Sequence, residues 1–347
     1  MKIRSQKGTI LVLTLWTLAI LTIAVGYLAV WFEKTADQTV GVSERFQAEL
    51  EITSTRATLL YLLATRPFNH GGMMVDLDEE TRQGLTDPIR TPRRLSARGD
   101  EYSLTDQPYV GVGKTVFSLQ DMGGLVGLNF IQYKRMELLL GQLGVPLQQR
   151  QRLIARLQDY TDMDDLVRLQ GAESRAYERQ NRSAPPNRFL INSWECRNII
   201  GWNEHERLWE NGRLPRLTTP WYGTSINLNT APLEVLMTVD GMDRAMAKRL
   251  VRNRPYESLT QASLVVGRPL GISQLEVATI SSPVLRITLW HPGLALAREI
   301  AVRLTPGALI KDARPWIIEY ELNVPVKRMD DETQTTPSIY FTTTDLG

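Results

Sequence analysis

Asp159, Asp162, Asp164 and Asp165 fall within seven residues, and Glu173 follows in Gly171-Ala172-Glu173. Carboxylates packed this closely repel one another unless a cation sits among them. Hard oxygen ligands in an irregular loop suit Ca2+, which takes roughly six to eight of them. Asp162, Asp164 and Glu173 stand at the first, third and twelfth places of an EF-hand count. Leu166 and Val167 stand at the fifth and sixth, where that loop needs an oxygen and a glycine. The stretch is therefore not an EF-hand, and two readings stay open: a cation site, or a solvated acidic loop capping a helix. Acid–base catalysis needs a cleft and unequal pKa values, which a sequence does not display. His70, His205 and His291 lie far apart and make no ligand spacing. No Ser, His and Asp arrangement or metal triad stands out, so the chain reads as a non-enzyme.

A second block, about 226–260, begins Ile226-Asn227-Leu228-Asn229-Thr230-Ala231-Pro232. Asn229 or Thr230 is suited to cap a helix and Pro232 to open its first turn. The turn Asp240-Gly241-Met242-Asp243 then leads into a second apolar-spaced stretch ending at Arg254-Pro255. The pattern is that of a helix-hairpin-helix. In DNA-binding hairpins two glycines bare their N–H groups to phosphate. Here Asp243 replaces the second glycine and Asp240 precedes the turn, so two carboxylates would face the phosphates. Arg244, Lys248, Arg249, Arg252 and Arg254 are balanced by acids elsewhere. A packing module is expected, with no nucleic acid; a membrane-tethered DNA receptor is the alternative.

These blocks must be held by the rest of the chain. With 43% apolar and 22% charged residues among 347, the composition is that of a folded globular protein. A net charge of +2 gives no general attraction for polyanions. One cysteine, Cys196, excludes an internal disulfide and is expected as a small buried residue.

From Thr9 to Phe32 there is no charged residue, and Lys2, Arg4 and Lys7 precede the run. A helix of this length spans the ~30 Å core of a bilayer, and the basic flank keeps its short end in the cytoplasm. Hydropathy leaves three readings: a plain anchor, a signal peptide cut after Ala24-Val25-Gly26, or a leader cut between Gly8 and Thr9 with the helix retained. Ala36, Val40, Phe46, Leu50, Thr53, Ala57, Leu60 and Leu63 continue at helical spacing. One helix is expected from Thr9 to Thr65, softened near Gly41, with 9–32 in the membrane and 33–66 beyond it. At 1.5 Å per residue it would measure about 85 Å.

Residues 67–110 read mostly as loop, rich in Gly, Asp, Arg and Thr. Tyr109–Val112 and Thr115–Leu119 read as short strands, and 130–269 turns helical. Val284–Trp290, Leu296–Leu304 and Pro315–Leu322 alternate as strands do. The expected fold is α+β: a long N-terminal helix, a small antiparallel sheet from 67–128 and 283–347, and an inserted helical domain over 129–282.

A basic leader ending in Gly8 before an apolar helix resembles the type IV pilin and pseudopilin family. Most members carry Glu at the fifth residue of the mature helix; here that place is held by Leu13. The Glu is understood to pair with a neighbouring subunit's terminal amine, which costs several kcal/mol if left alone in hydrocarbon. The subfamily lacking it is the minor pseudopilin K family of type II secretion. The Asp121–Asn129 segment, the acidic loop, the hairpin block and the terminal strands resemble that family in the same order. The resemblance implies a leader removed after Gly8 by a prepilin peptidase, methylation of Thr9, and a single span of the inner membrane of a Gram-negative bacterium. The C-terminal domain would lie in the periplasm. It implies a place at the pseudopilus tip, capping other minor pseudopilins and helping assembly begin. Secreted substrate or the outer-membrane secretin would be nearby. It further implies calcium in the acidic loop, with Asp159, Asp162, Asp164, Asp165 and Glu173 as ligands.

Overall fold

A computed structural model describes residues 9–77, 96–221, 225–270, 277–305, 314–325, 335–338 and 340–341. The chain divides after Leu50 into two units, and α1 (Thr9–Thr65) contributes to both.

In the first unit, α1 is apolar all round as far as Phe32: Leu11, Leu13, Leu15, Trp16, Leu18 and Ile20 are all exposed. A helix with no polar face has no aqueous side. Thr14, Thr17 and Thr22 donate their hydroxyls to the carbonyls of Leu11, Thr14 and Leu18, so these side chains need no outside partner. The helix is long and apolar enough to cross a membrane. It runs through Gly41 without interruption, contrary to the expected softening. A lone Gly costs only about 1 kcal/mol against the regular hydrogen bonds on either side.

In the second unit, the buried face of α1 is Ile52, Thr55, Leu59, Leu62 and Leu63. This differs from the stripe read in the sequence, where among the described side chains only Leu60 and Leu63 are buried. Val40, Phe46 and Leu50 are exposed. The stripe merged two overlapping helical rows, and packing against a sheet selected the row offset by one residue.

That sheet has five antiparallel strands in the order β1-β2-β7-β8-β9. They are β1 (Thr105–Val110), β2 (Val116–Asp121), β7 (Val284–Trp290), β8 (Ala297–Leu304) and β9 (Trp316–Val324). β1 begins at Thr105, inside the stretch expected as loop. A bulge at Asp106, whose φ is +64°, hides the alternation there. Phe117, Leu119, Leu285, Ile287, Leu289, Ile300 and Val302 point to α1 and form one core with Ile52, Leu59 and Leu62.

The β1–β2 turn is seated on α1. Glu51 Oε2 accepts from Lys114 N at 2.8 Å and from His291 Nε2 at 3.0 Å. His291 Nδ1 accepts from Gly293 N, so Nε2 carries the proton. Gly113 has φ +58°, and a Cβ there would run into the Glu51 carboxylate. Gly113→Ala should therefore lower stability by about 1–2 kcal/mol through strain and a displaced Glu51. Urea unfolding that left the midpoint unmoved would refute this.

The opposite face of the sheet is also buried, but polar: Ser118, Gln120, Arg286, Thr288 and Glu299 are nearly inaccessible. It meets residues 122–283, which depart between the adjacent strands β2 and β7. Arg286 donates to Pro215 O at 2.8 Å, Gln120 to Thr230 O at 3.1 Å, and Tyr320 to Glu299 at 3.0 Å. Asp106 accepts from Ser118 and lies 3.2 Å from Arg216.

Asp121 closes the junction. It is fully buried, and its Oδ1 accepts from Gly123 N, Ser282 N and Ser282 Oγ at 2.7–3.0 Å. Its Oδ2 accepts from Asn227 Nδ2 and Thr230 Oγ1, both at 2.8 Å. Burial raises this carboxyl above its usual range, against the hydrogen bonds from the Ser282 hydroxyl, Asn227, Gly123 N and Thr230 that lower it. One side chain thus ties the point where the chain leaves the sheet to the point where it returns.

The regular structure of the excursion is mostly helical: α2 (Tyr133–Gln142), α3 (Leu147–Thr161), α4 (Ser174–Glu178), α5 (Glu206–Trp209), α6 (Arg213–Leu217), α7 (Leu233–Leu236), α8 (Arg244–Arg252) and α9 (Leu259–Val266). Two short parallel pairs brace it: β3 (Val126–Gly127) with β4 (Thr218–Thr219), and β5 (Ile226–Asn227) with β6 (Val277–Ala278). Its core gathers Leu139, Ile154, Trp202, Leu208, Leu236 and Leu250. Cys196 lies in this core, and burial pushes its thiol far up, leaving it an inert apolar group.

Candidate metal centre

α3 ends at Thr161, with Asp159 in its last turn and Asp162 directly after it. A helix C-terminus is a negative pole, so two carboxylates there are unfavourably placed. The chain then runs without regular structure to Glu173, which sits at the start of α4. Glu173 makes no capping bond, and its side chain joins the two aspartates instead. One carboxylate oxygen from each of Asp159, Asp162 and Glu173 falls within 4.8 Å of the others.

The cluster is buried and only partly satisfied. Asp159 is inaccessible, and Glu173 is 4% exposed. Arg168 lies across it: Nη1 is 3.0 Å from Asp159 Oδ1 and also donates to Asp162 Oδ2. These two hydrogen bonds, the one to Asp162 first, raise the pKa of Arg168. Both oxygens of Glu173, and Oδ1 of Asp162, are buried with no hydrogen-bond partner among the described residues. Burial first, then the charges of Asp159, Asp162, Asp165 and Asp164, push the Glu173 carboxyl up to about 7.

Asp164 and Asp165 are not gathered into this trio, although both stand in the ligand set the resemblance implies. Asp164 Oδ1 accepts from Leu166 N at 2.8 Å, and Asp165 accepts from Asn187 Nδ2 at 3.0 Å. They shape the loop and add negative potential. Arg168 went unread in the sequence, and Gly171 was noted only as part of Gly171-Ala172-Glu173. A basic residue inside an acidic run was the signal for the first. Gly171 has no signal, because its role is close approach: a Cβ there would overlap Asp159 Oδ2. Gly171→Ala should push Asp159 from its place, weaken any cation binding at least about tenfold and cost about 1–3 kcal/mol. Unchanged cation affinity in this variant would refute the close approach.

In the second block α7, the turn at Gly241 and α8 follow one another, and the expected cap is not made. Asn229 caps no helix: its Nδ2 donates to Tyr256 O and Thr279 O, and its Oδ1 accepts from Tyr256 N. Thr230 is taken by Asp121. Pro232 directly precedes α7, which has four residues. Asp243 caps α8 by accepting from Met246 N at 2.7 Å. Asp240 pairs with Lys134, which lowers its pKa, and Arg268 donates to Asp240 O. The Gly241 turn thus carries two carboxylates and is partly covered by Arg268.

Gly8 lies outside the described residues. Thr9 begins α1, and Leu13 is an exposed residue of its apolar stretch.

Two family models match the chain, and both describe protein K of the type II secretion system (T2SS). One covers residues 124–208, with Asp159, Asp162, Arg168, Gly171 and Glu173; the other covers 226–286, with the Gly241 turn. No curated protein matches. Among solved structures, a chain of the crystal structure of the GspK-GspI-GspJ complex from the enterotoxigenic Escherichia coli type 2 secretion system is similar. It is 14% identical with a TM-score of 0.49, over 84% of this chain and 98% of that one. The two matches follow one another in order through the excursion between β2 and β7, and over these two segments the chain is similar to protein K of the type II secretion system.

Proposed function

We propose that this chain is the tip subunit of a type II secretion pseudopilus, capping other minor pseudopilins and helping the filament begin. The observation that carries this is Leu13 in the apolar helix. A subunit with no acid there offers nothing to neutralise the terminal amine of a subunit beyond it. The bulk of residues 122–283 beside a small sheet supports the same place, since a large head crowds a close-packed stack. The leader is cut after Gly8 by a prepilin peptidase, Thr9 is methylated, and the C-terminal unit lies in the periplasm, as the basic flank Lys2, Arg4 and Lys7 favours. The partners are the two minor pseudopilins corresponding to those named with GspK in the solved complex, with substrate or secretin nearby. Immunogold labelling should mark only the ends of pseudopili; label spaced along the shaft would remove the reading. The mature membrane-extracted chain should begin at methylated Thr9.

A second proposal concerns the acidic loop: Asp159, Asp162 and Glu173 would hold Ca2+. The orphaned oxygens of Glu173 and Asp162 support it, because buried acceptors without donors fit a cation. The ion would supply the countercharge that the single charge of Arg168 leaves wanting among three carboxylates, two of them at a helix C-terminus. Calcium titration of the full chain should show saturable binding that Glu173→Gln abolishes. A DNA-receptor role is disfavoured by Asp240 and Asp243 at the hairpin turn.

A further inference from the structure

We infer that Arg168 is a tethered counter-ion that occupies the acidic cluster when no divalent cation is bound and leaves it when one enters. The inference rests on the calcium reading and concerns how that site is controlled. Arg168 meets the cluster twice, through Nη1 to Asp159 and Asp162 and through its backbone N–H, 3.3 Å from Asp159 Oδ2. Its single charge answers three carboxylates, and it leaves both Glu173 oxygens without a partner. A divalent cation brings twice the charge and takes more oxygens than one guanidinium edge can reach. Arg168 already holds Asp159 Oδ1 and Asp162 Oδ2, and a guanidinium and a divalent cation on the same two carboxylates repel each other, so each weakens the other's hold.

The consequence extends to the loop. Met163, Leu166, Val167 and Leu169 are 86%, 76%, 64% and 82% exposed, on the segment that Arg168 holds to α3. The other ties of this segment include Asn187 to Asp164 O and Asp165. Entry of the cation therefore exchanges an anchor inside the loop for one among Asp159, Asp162 and Glu173, and re-poses four apolar side chains. It also sets calcium affinity below what the acids alone would give.

The test is calorimetric titration of the full chain in detergent with Ca2+ alone, for wild type, Arg168→Gln, Arg168→Lys and Glu173→Gln. Arg168→Gln should bind at least about tenfold more tightly than wild type, because a positive charge in direct contact with the site is gone. Arg168→Lys should stay close to wild type. In the wild-type chain, phenylglyoxal labelling of Arg168, read by mass spectrometry, should rise several-fold on saturation with calcium. Equal affinity of Arg168→Gln and wild type, with binding abolished in Glu173→Gln, would overturn the inference and leave the calcium site standing. Binding by Glu173→Gln equal to wild type, or none by wild type and Arg168→Gln alike, would overturn the site and the inference with it. Should Arg168→Gln fail to fold, unchanged labelling of Arg168 under calcium that the wild type demonstrably binds overturns the inference.

Discussion

Asp121→Ala should cost this protein at least about 4 kcal/mol, the largest loss expected of any single substitution in the sheet unit. The carboxylate accepts from five donors and is fully buried. Truncation leaves Gly123 N, Ser282 N and Asn227 Nδ2 buried without their acceptor, each at roughly 1–3 kcal/mol. The damage is not local. Gly123 opens the excursion and Ser282 precedes β7, so both ends of the excursion lose their common tie, and Asn227 of β5 is released with them. Urea unfolding of the full chain in detergent is the measurement, with Asp240→Ala as comparator. Asp240 is exposed and paired only at the surface, so that variant should keep the wild-type midpoint. A loss below about 1 kcal/mol for Asp121→Ala would show the junction is held by packing alone.

The second large effect is a pH dependence that calcium should erase. Glu173 has a folded pKa of about 7 against an ordinary 4.5. A raised carboxyl does the native state no harm below about pH 4.5, where folded and unfolded chains both carry the proton. As pH climbs, the unfolded chain ionises first, and native stability falls by ~3 kcal/mol until the folded group has also ionised near pH 7. The groups responsible face Glu173 from α3 and the loop: Asp159, Asp162, Asp164 and Asp165, with Arg168 opposing them. In chelator, the melting temperature should therefore drop between pH 5 and pH 8. Calcium should remove most of that drop, and Glu173→Gln should remove it without calcium. A flat profile in chelator would contradict the burial of this carboxylate among its neighbours.

Much of this was legible in the residues. The end of α1 at Thr65 was legible, because helical spacing followed by Pro67 is a local signal. The three C-terminal strands were found within two residues at each end, since alternation over seven to nine residues is also local. The order of the blocks carried the family. What stayed hidden depended on partners distant in the chain. The buried row of α1 was misassigned because a helix with apolar residues on several sides does not announce which one a sheet will cover. Asn229 and Thr230 look like caps by type, yet Tyr256, Thr279 and Asp121 claim them from far along the chain.

The acidic loop shows the same division. Its composition alone marked a place where negative charge must be answered. Which acids meet was decided by the end of α3 and the start of α4, which bring Asp159 and Asp162 to Glu173 and leave Asp164 and Asp165 to the loop's own backbone and Asn187. Residue type sets the charge, and only the tertiary path sets the distances and burial on which a carboxylate's partner and pKa depend.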